Sequence, residues 1–194
     1  MKAALPEIWI LAGGKSSRMG KDKARIQVHG KSFLGHLLHT IQPLLCPIRV
    51  VAPHPFSETD SVFPDLIPDQ GPLGGLFTAL SHLKSTGLVL LSCDMPFLPM
   101  HRVEPFLAYQ GPGPLVPVFQ GRRHPFPAWF PASCLPEVRL RIERGQLRME
   151  DFLASQSCTE LFWETDFQNH PEWFAHFNKP EDLHHYLAKW NPHT

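Results

Sequence analysis

The chain has 194 residues, 18 acidic and 18 basic side chains, and no net charge with histidine neutral. That length suits one sizeable core, and the charge balance offers no field for nucleic acid or an anionic membrane. No apolar run approaches the ~20 residues of a membrane span.

Glu7 lies beside the first apolar run, which argues against a secretory leader. The four cysteines, Cys46, Cys93, Cys134 and Cys158, are widely spaced and form no C-x-x-C pair. They read as reduced thiols of a cytoplasmic protein. The twelve histidines are scattered and show no ligand spacing.

In chain order, Ile8-Trp9-Ile10-Leu11 is a buried β-strand pattern. It breaks at once into Ala12-Gly13-Gly14-Lys15-Ser16-Ser17-Arg18-Met19-Gly20-Lys21-Asp22-Lys23. Glycines let backbone N–H groups approach an anion, and Arg18, Lys21 and Lys23 add positive charge, so the loop suits a polyphosphate. It is not a P-loop, because five residues separate Gly14 from Gly20 and Asp22 follows Lys21. It is not G-x-G-x-x-G either, because Gly13 and Gly14 are adjacent.

Ala24 to Val28 alternates in character, and His29-Gly30-Lys31 reads as a turn. Ser32 is placed to cap a helix whose inner face is Leu34, Leu37, Leu38 and Ile41, ended by Pro43. Ile48 to Ala52 is a second strand. Asp69-Gln70-Gly71-Pro72-Leu73-Gly74-Gly75 then opens a helix carrying Leu76, Phe77, Leu80 and Leu83. Glycines are poor helix residues, so Gly74 and Gly75 point to something passing close to the backbone. Leu88 to Leu91 is a continuous apolar strand, followed by Cys93-Asp94-Met95-Pro96. Ligands of parallel sheets gather beyond the carboxyl ends of strands, so Asp94 either caps the turn or holds Mg²⁺, and the two roles are compatible.

A short helix from Pro99 buries Val103, Phe106 and Leu107, with Pro105 expected to distort it. Leu115–Phe119 and Phe126–Phe130 are strands around a Gln120-Gly121-Arg122-Arg123 turn. Ser133 to Arg144 is a helix closed by Gly145, and another begins near Leu147. Leu161–Trp163 and Trp173–Phe177 are strands, and a last helix starts at Asn178 or Lys179. The alternation of strand, loop, helix and strand is that of an α/β domain with parallel strands.

The first loop resembles the L-A-G-G-x-S-x-R-M-G-x-D-K signature of molybdenum cofactor guanylyltransferases, the MobA family; every fixed position from Leu11 to Lys23 is filled. The later stretches Asp69 to Gly74 and Cys93 to Pro96 follow in that family's order. So do Gly121, Arg123, Pro125 and Ala128, and the C-terminal Asn178-Lys179-Pro180-Glu181-Asp182-Leu183. The resemblance implies a single three-layer α/β/α, Rossmann-like nucleotidyltransferase domain over residues 1–194. It implies GMP transfer from GTP to Mo-molybdopterin, giving the guanine dinucleotide cofactor and pyrophosphate. By the same resemblance Leu11, Ala12, Gly13, Gly14, Lys23, Asp69, Gly74 and Asp94 contact GTP, Asp94 holds Mg²⁺, and Arg18, Lys23 and Asp94 are catalytic.

Arg123 and Asn178 become candidates for molybdopterin, although Arg122 and Arg123 read equally as solvated turn residues. Lys179 and His176 depart from the family's threonine and first asparagine, which leaves the pterin contact there open. Transient complexes with a molybdenum-insertion protein and with target molybdoenzymes are expected from the family. The alternatives are a molybdopterin cytidylyltransferase, a sugar-phosphate nucleotidyltransferase, or a non-catalytic nucleotide-binding regulator. Leu-Ala-Gly-Gly, where sister enzymes carry Leu-Ala-Ala-Gly, weighs against the first two.

Overall fold

A computed structural model describes residues 6–13 and 23–175. The strands are β1 (Glu7–Leu11), β2 (Gln27–Val28), β3 (Lys31–Ser32), β4 (Ile48–Val51), β5 (Val62–Phe63), β6 (Gly87–Ser92), β7 (Leu115–Phe119), β8 (Arg122–Arg123), β9 (Ala128–Pro131) and β10 (Thr159–Phe162). The helices are α1 (Phe33–Ile41), α2 (Gly71–His82), α3 (Glu104–Ala108), α4 (Leu135–Glu143), α5 (Met149–Ala154) and α6 (Glu164–Asn169).

The central sheet has the order β10-β7-β9-β6-β1-β4-β5, with β8 hairpinned onto β7. β1 pairs parallel with β4 on one side and with β6 on the other. β4–β5 and β7–β10 are also parallel. β9 runs antiparallel to β6 and β7, so the sheet is mixed and mostly parallel. Ile8, Trp9 and Ile10 are fully buried, as are Leu88, Val89 and Leu90. Strands covered on both faces need this unbroken apolar character.

The chain leaves β1 toward β4 and later returns from β5 to β6 on the other side. Right-handed crossovers therefore put α1 and α2 on opposite faces. α2 packs against α4, which completes its layer. Between β4 and β6, at the carboxyl end of β1, the crossovers diverge and leave a crevice.

Local chemistry accounts for most element ends. Ser32 caps α1, its hydroxyl accepting from Gly35 N at 2.9 Å. Gly145 ends the α4 region at φ +68°.

Four expectations change. Pro105 lies in the first turn of α3, where its missing N–H costs nothing, so it starts the helix instead of distorting it. The turn after β7 is only Gln120-Gly121, both with positive φ, and Arg122–Arg123 pair back as β8. Residues 171–174 form a 3₁₀ turn instead of a strand: Pro171 sets a helical φ, and Phe174 packs among Phe119, Trp163 and Phe167. α6 has no counterpart among the expected elements. The last helix and its Asn178 lie outside the described residues.

Among the described residues no helix is long and apolar enough to cross a membrane. All four cysteines are free, and burial pushes the Cys134 thiol up to about 12.

Candidate active site

The crevice holds a cavity of about 800 Å³. Its floor is the carboxyl end of β1 and β6: Leu11, Ala12 and Gly13 on one strand exit, Ser92, Cys93 and Asp94 on the other. Ala12 N donates to Val51 O and Cys93 N to Leu11 O, so both exits continue the sheet ladder and hold a fixed height. On the β4–β5 side the wall is Pro53, Pro64, Asp65, Pro68 and Asp69. Gly71, Pro72 and Gly75 of α2 close it from above, and Phe126 stands at the opposite end. The N-terminal end of α2 thus faces the cavity with the positive end of its dipole.

Asp94 and Lys23 meet here. Lys23 Nζ is 3.7 Å from Asp94 Oδ2, and Ser92 Oγ donates to Asp94 Oδ1 at 2.6 Å. The serine fixes one carboxylate oxygen and leaves the other beside the ammonium. This is one hard oxygen ligand next to one cation, both facing the cavity. Mg²⁺ commonly binds protein through one or two carboxylates and takes its remaining oxygens from phosphate and water. Asp94, with one oxygen held by Ser92, fits as the protein ligand of a metal carried on a triphosphate.

Asp69 lines the cavity with φ +64°, a left-handed conformation that aspartate tolerates better than most residues. Asp65 was not singled out from the sequence. Among the described residues its Oδ1 is buried with no hydrogen-bond partner, and burial holds its carboxyl above the usual carboxylate range. An unpartnered carboxylate among four cavity prolines is an acceptor waiting for donors. Thr78 of α2 sets its loop: Leu66 N donates to Thr78 Oγ1, which donates to Gly74 O, both at 3.0 Å. The available signal was the rule already used for Asp94, a carboxylate just past a strand end; β5 has two residues and gave no strand pattern to apply it to.

Of the sequence-derived residues, Leu11, Ala12, Gly13, Lys23, Asp69 and Asp94 share this cavity. Gly14 and Arg18 lie outside the described residues. Gly74 is buried away from the lining, and a Cβ there would stand 2.7 Å from Gln70 Cβ. Gly75 does line it, and what passes close to its backbone is protein: a Cβ would stand 2.6 Å from Leu11 Cδ2. Arg123 does not line the cavity. Its Nε pairs with Glu160 Oε1 at 2.7 Å and its Nη1 donates to Leu153 O at 2.9 Å, tying β8 to β10 and α5.

Residues 8–159 match the family described as MobA-like NTP transferase domain. The chain is 31% identical over 191 residues to the molybdenum cofactor guanylyltransferase of Photobacterium profundum, covering 94% of this chain and 96% of that protein. It is 30% identical over 183 residues to the enzyme of the same name from Haemophilus influenzae, covering 90% and 93%. Its fold is similar to the crystal structure of molybdopterin-guanine dinucleotide biosynthesis protein A from Archaeoglobus fulgidus. There the TM-score is 0.79 at 21% identity, over 94% of this chain and 97% of that one.

Proposed function

The chain belongs to the MobA-like NTP transferase family, and we propose that it is a molybdenum cofactor guanylyltransferase, moving GMP from GTP to the phosphate of Mo-molybdopterin with release of pyrophosphate. The observation that carries this for the chain's own residues is the meeting of Lys23 and Asp94 at the switch-point cavity, 3.7 Å apart.

The acceptor phosphate attacks the α-phosphorus in line. The P–O bond to the leaving pyrophosphate breaks as the new pyrophosphate linkage forms. Such a displacement asks for positioning and for charge stabilisation, and no covalent protein nucleophile is required. Lys23 donates to a phosphate oxygen of the triphosphate. Gly13 brings backbone close to it, Arg18 of the same loop adds a second cation, and Gly14 extends the bare backbone. Asp94 holds a divalent cation, which we take to be Mg²⁺; when bound, it neutralises charge on the transferred group and the leaving pyrophosphate. Asp65 and Asp69 accept from the nucleoside. Guanine suits a buried carboxylate because its N1–H and N2 amino group present two adjacent donors.

Asn178 remains the candidate for molybdopterin. Arg123, the other candidate, is held by Glu160 and Leu153 O. The product is a labile cofactor, so cytoplasmic handover from a molybdenum-insertion protein and on to target molybdoenzymes belongs to the same proposal.

The test is thermal stability with GTP, CTP, ATP and UTP, each with and without Mg²⁺. Ligand at ~100 times its dissociation constant stabilises by about 2.7 kcal/mol, a rise in Tm of roughly 5–11 °C for a chain of this size. A Mg²⁺-dependent rise specific to GTP supports the proposal. An equal or larger rise with CTP points to a cytidylyltransferase and overturns it.

A further inference from the structure

Lys23 and Gly13 bound the segment 14–22, and both bear on one short stretch of chain, residues 53–58. At the entrance, Gly13 packs on Pro53, where an added Cβ would stand 3.1 Å from Pro53 Cδ. At the exit, Lys23 begins a 3₁₀ turn, Lys23–Arg25, in which Ile26 N donates to Lys23 O at 3.1 Å. Arg25 carries that turn onto the same stretch. Its Nη2 donates to Pro55 O at 2.7 Å, and its guanidinium lies 4.4 Å from the centroid of Phe56, which is itself buried.

The stretch is held from its other side as well. Phe56 and Thr59 form an antiparallel bridge that closes the turn. Glu58 accepts from the hydroxyl of Ser32, the α1 cap, at 2.6 Å, and that bond comes first among the causes holding its carboxyl below the usual range. Ala24, between Lys23 and Arg25, is fully buried. Residues 53–58 therefore form a bracket: a fixed base against which both ends of the glycine-rich segment are set.

We propose that Arg25 is a positioning residue, which holds Lys23 opposite Asp94 by locking the exit of the glycine-rich segment onto the 53–58 bracket. Arg25 lies beyond the signature, which ends at Lys23, and it does not line the cavity. The contacts to Pro55 O and Phe56 ask for different things: the carbonyl for a donor, the ring for a cation over its face. Arg25→Met keeps the apolar stem over Phe56 and loses both interactions. Arg25→Lys keeps a cationic donor but loses the fork that meets Pro55 O and the Phe56 ring together. The effect on nucleotide passes through Lys23, so this inference rests on the proposed role of Lys23 as a triphosphate contact.

Two measurements separate the anchor from the guanylyl reading. The first needs no ligand: amide hydrogen exchange of wild type, Arg25→Lys and Arg25→Met. The Ile26 amide exchanges at least tenfold faster in Arg25→Met and at an intermediate rate in Arg25→Lys, while β1 and β6 amides keep their rates. Unchanged exchange at Ile26 overturns the anchor. The second is a double-mutant cycle of Arg25→Met and Lys23→Ala, read as the Kd of Mg²⁺–GTP. Arg25→Met alone weakens binding about five- to tenfold, and on the Lys23→Ala background it changes Kd by less than twofold. Independent, multiplying losses overturn the claim that Arg25 acts through Lys23. If wild type binds CTP in place of GTP, the same cycle is run with CTP, and the guanylyl reading fails while the positioning role is still decided. If no triphosphate binds, the role in nucleotide binding falls with that reading, and the exchange experiment alone decides the anchor.

Discussion

Gly75→Ala separates two explanations of the glycine pair at the start of α2, room for a ligand and room for protein. A Cβ at Gly75 would stand 2.6, 3.0 and 3.4 Å from Cδ2, Cδ1 and Cγ of Leu11, so the whole end of that side chain must move. Leu11 is 8% exposed, and the open space it borders is the cavity. Overpacking a closed core costs about 1–3 kcal/mol, and replacing glycine by alanine inside a helix returns about 1 kcal/mol. The net loss is about 0–2 kcal/mol, or a fall in Tm of up to about 8 °C for a domain of this length. Leu11 moves into the cavity proposed to hold nucleotide, so the Kd for Mg²⁺–GTP rises about tenfold or more. Trimming the obstruction in Gly75→Ala/Leu11→Ala restores affinity to within about threefold of Leu11→Ala alone. Differential scanning fluorimetry and calorimetry read the two effects. Unchanged Tm together with unchanged affinity in Gly75→Ala would refute the claim that Leu11 fills the space glycine leaves.

Asp94→Asn abolishes turnover in a pyrophosphate-release assay while the far-UV spectrum and the ligand-free Tm stay close to wild type; near-normal turnover removes Asp94 from the mechanism. Lys23→Ala weakens Mg²⁺–GTP binding by about ten- to hundredfold, the loss expected for a hydrogen bond between charged groups, and calorimetry checks it. Asp65→Asn raises the ligand-free Tm at pH 7 but weakens GTP binding. Burial raises the folded pKa, so the folded state binds the proton more tightly, and the ionised carboxylate costs stability as pH rises above about 3.8. A Tm–pH profile that is unchanged in Asp65→Asn contradicts this. His36 works in the opposite direction. Burial first, against its bond to Val28 O, lowers its folded pKa, so the unfolded state binds the proton better. Stability is therefore full above pH ~6.5 and falls as pH drops from there toward the lowered folded pKa, and His36→Gln flattens that slope in urea titrations.

The parts legible in the sequence were those whose signal is local. β1 and β6 announce themselves as unbroken apolar runs, and Ser32 as a cap, because burial on both faces and capping act within a few residues. The cavity's Lys23–Asp94 pair was legible for the same reason: Lys23 closes a long motif, and Asp94 follows a strand directly. What escaped depends on pairing across the chain. β5 and β8 are two residues each, defined only by their neighbours β4 and β7. Asp65, beyond β5, stayed hidden with it. Arg123 looked like a free turn cation because Glu160, its partner, is 37 residues away. Trp173 and Phe174 carried a β-favouring composition, but Pro171 and the packing of Phe174 on three other aromatic rings made a helical turn. The close approach at Gly74 is by Gln70, one helical turn back, and at Gly75 by Leu11, 64 residues away, which no local pattern names.

The central claim is the transfer itself, and the most direct measurement is turnover with purified protein, Mo-molybdopterin, Mg²⁺ and α-labelled GTP, following label in the dinucleotide product and pyrophosphate together. One pyrophosphate per labelled guanine dinucleotide is expected, dependent on Mg²⁺ and lost in Asp94→Asn. Protein that binds Mg²⁺–GTP yet releases no pyrophosphate when molybdopterin is added, or that forms dinucleotide faster from CTP than from GTP, would contradict it.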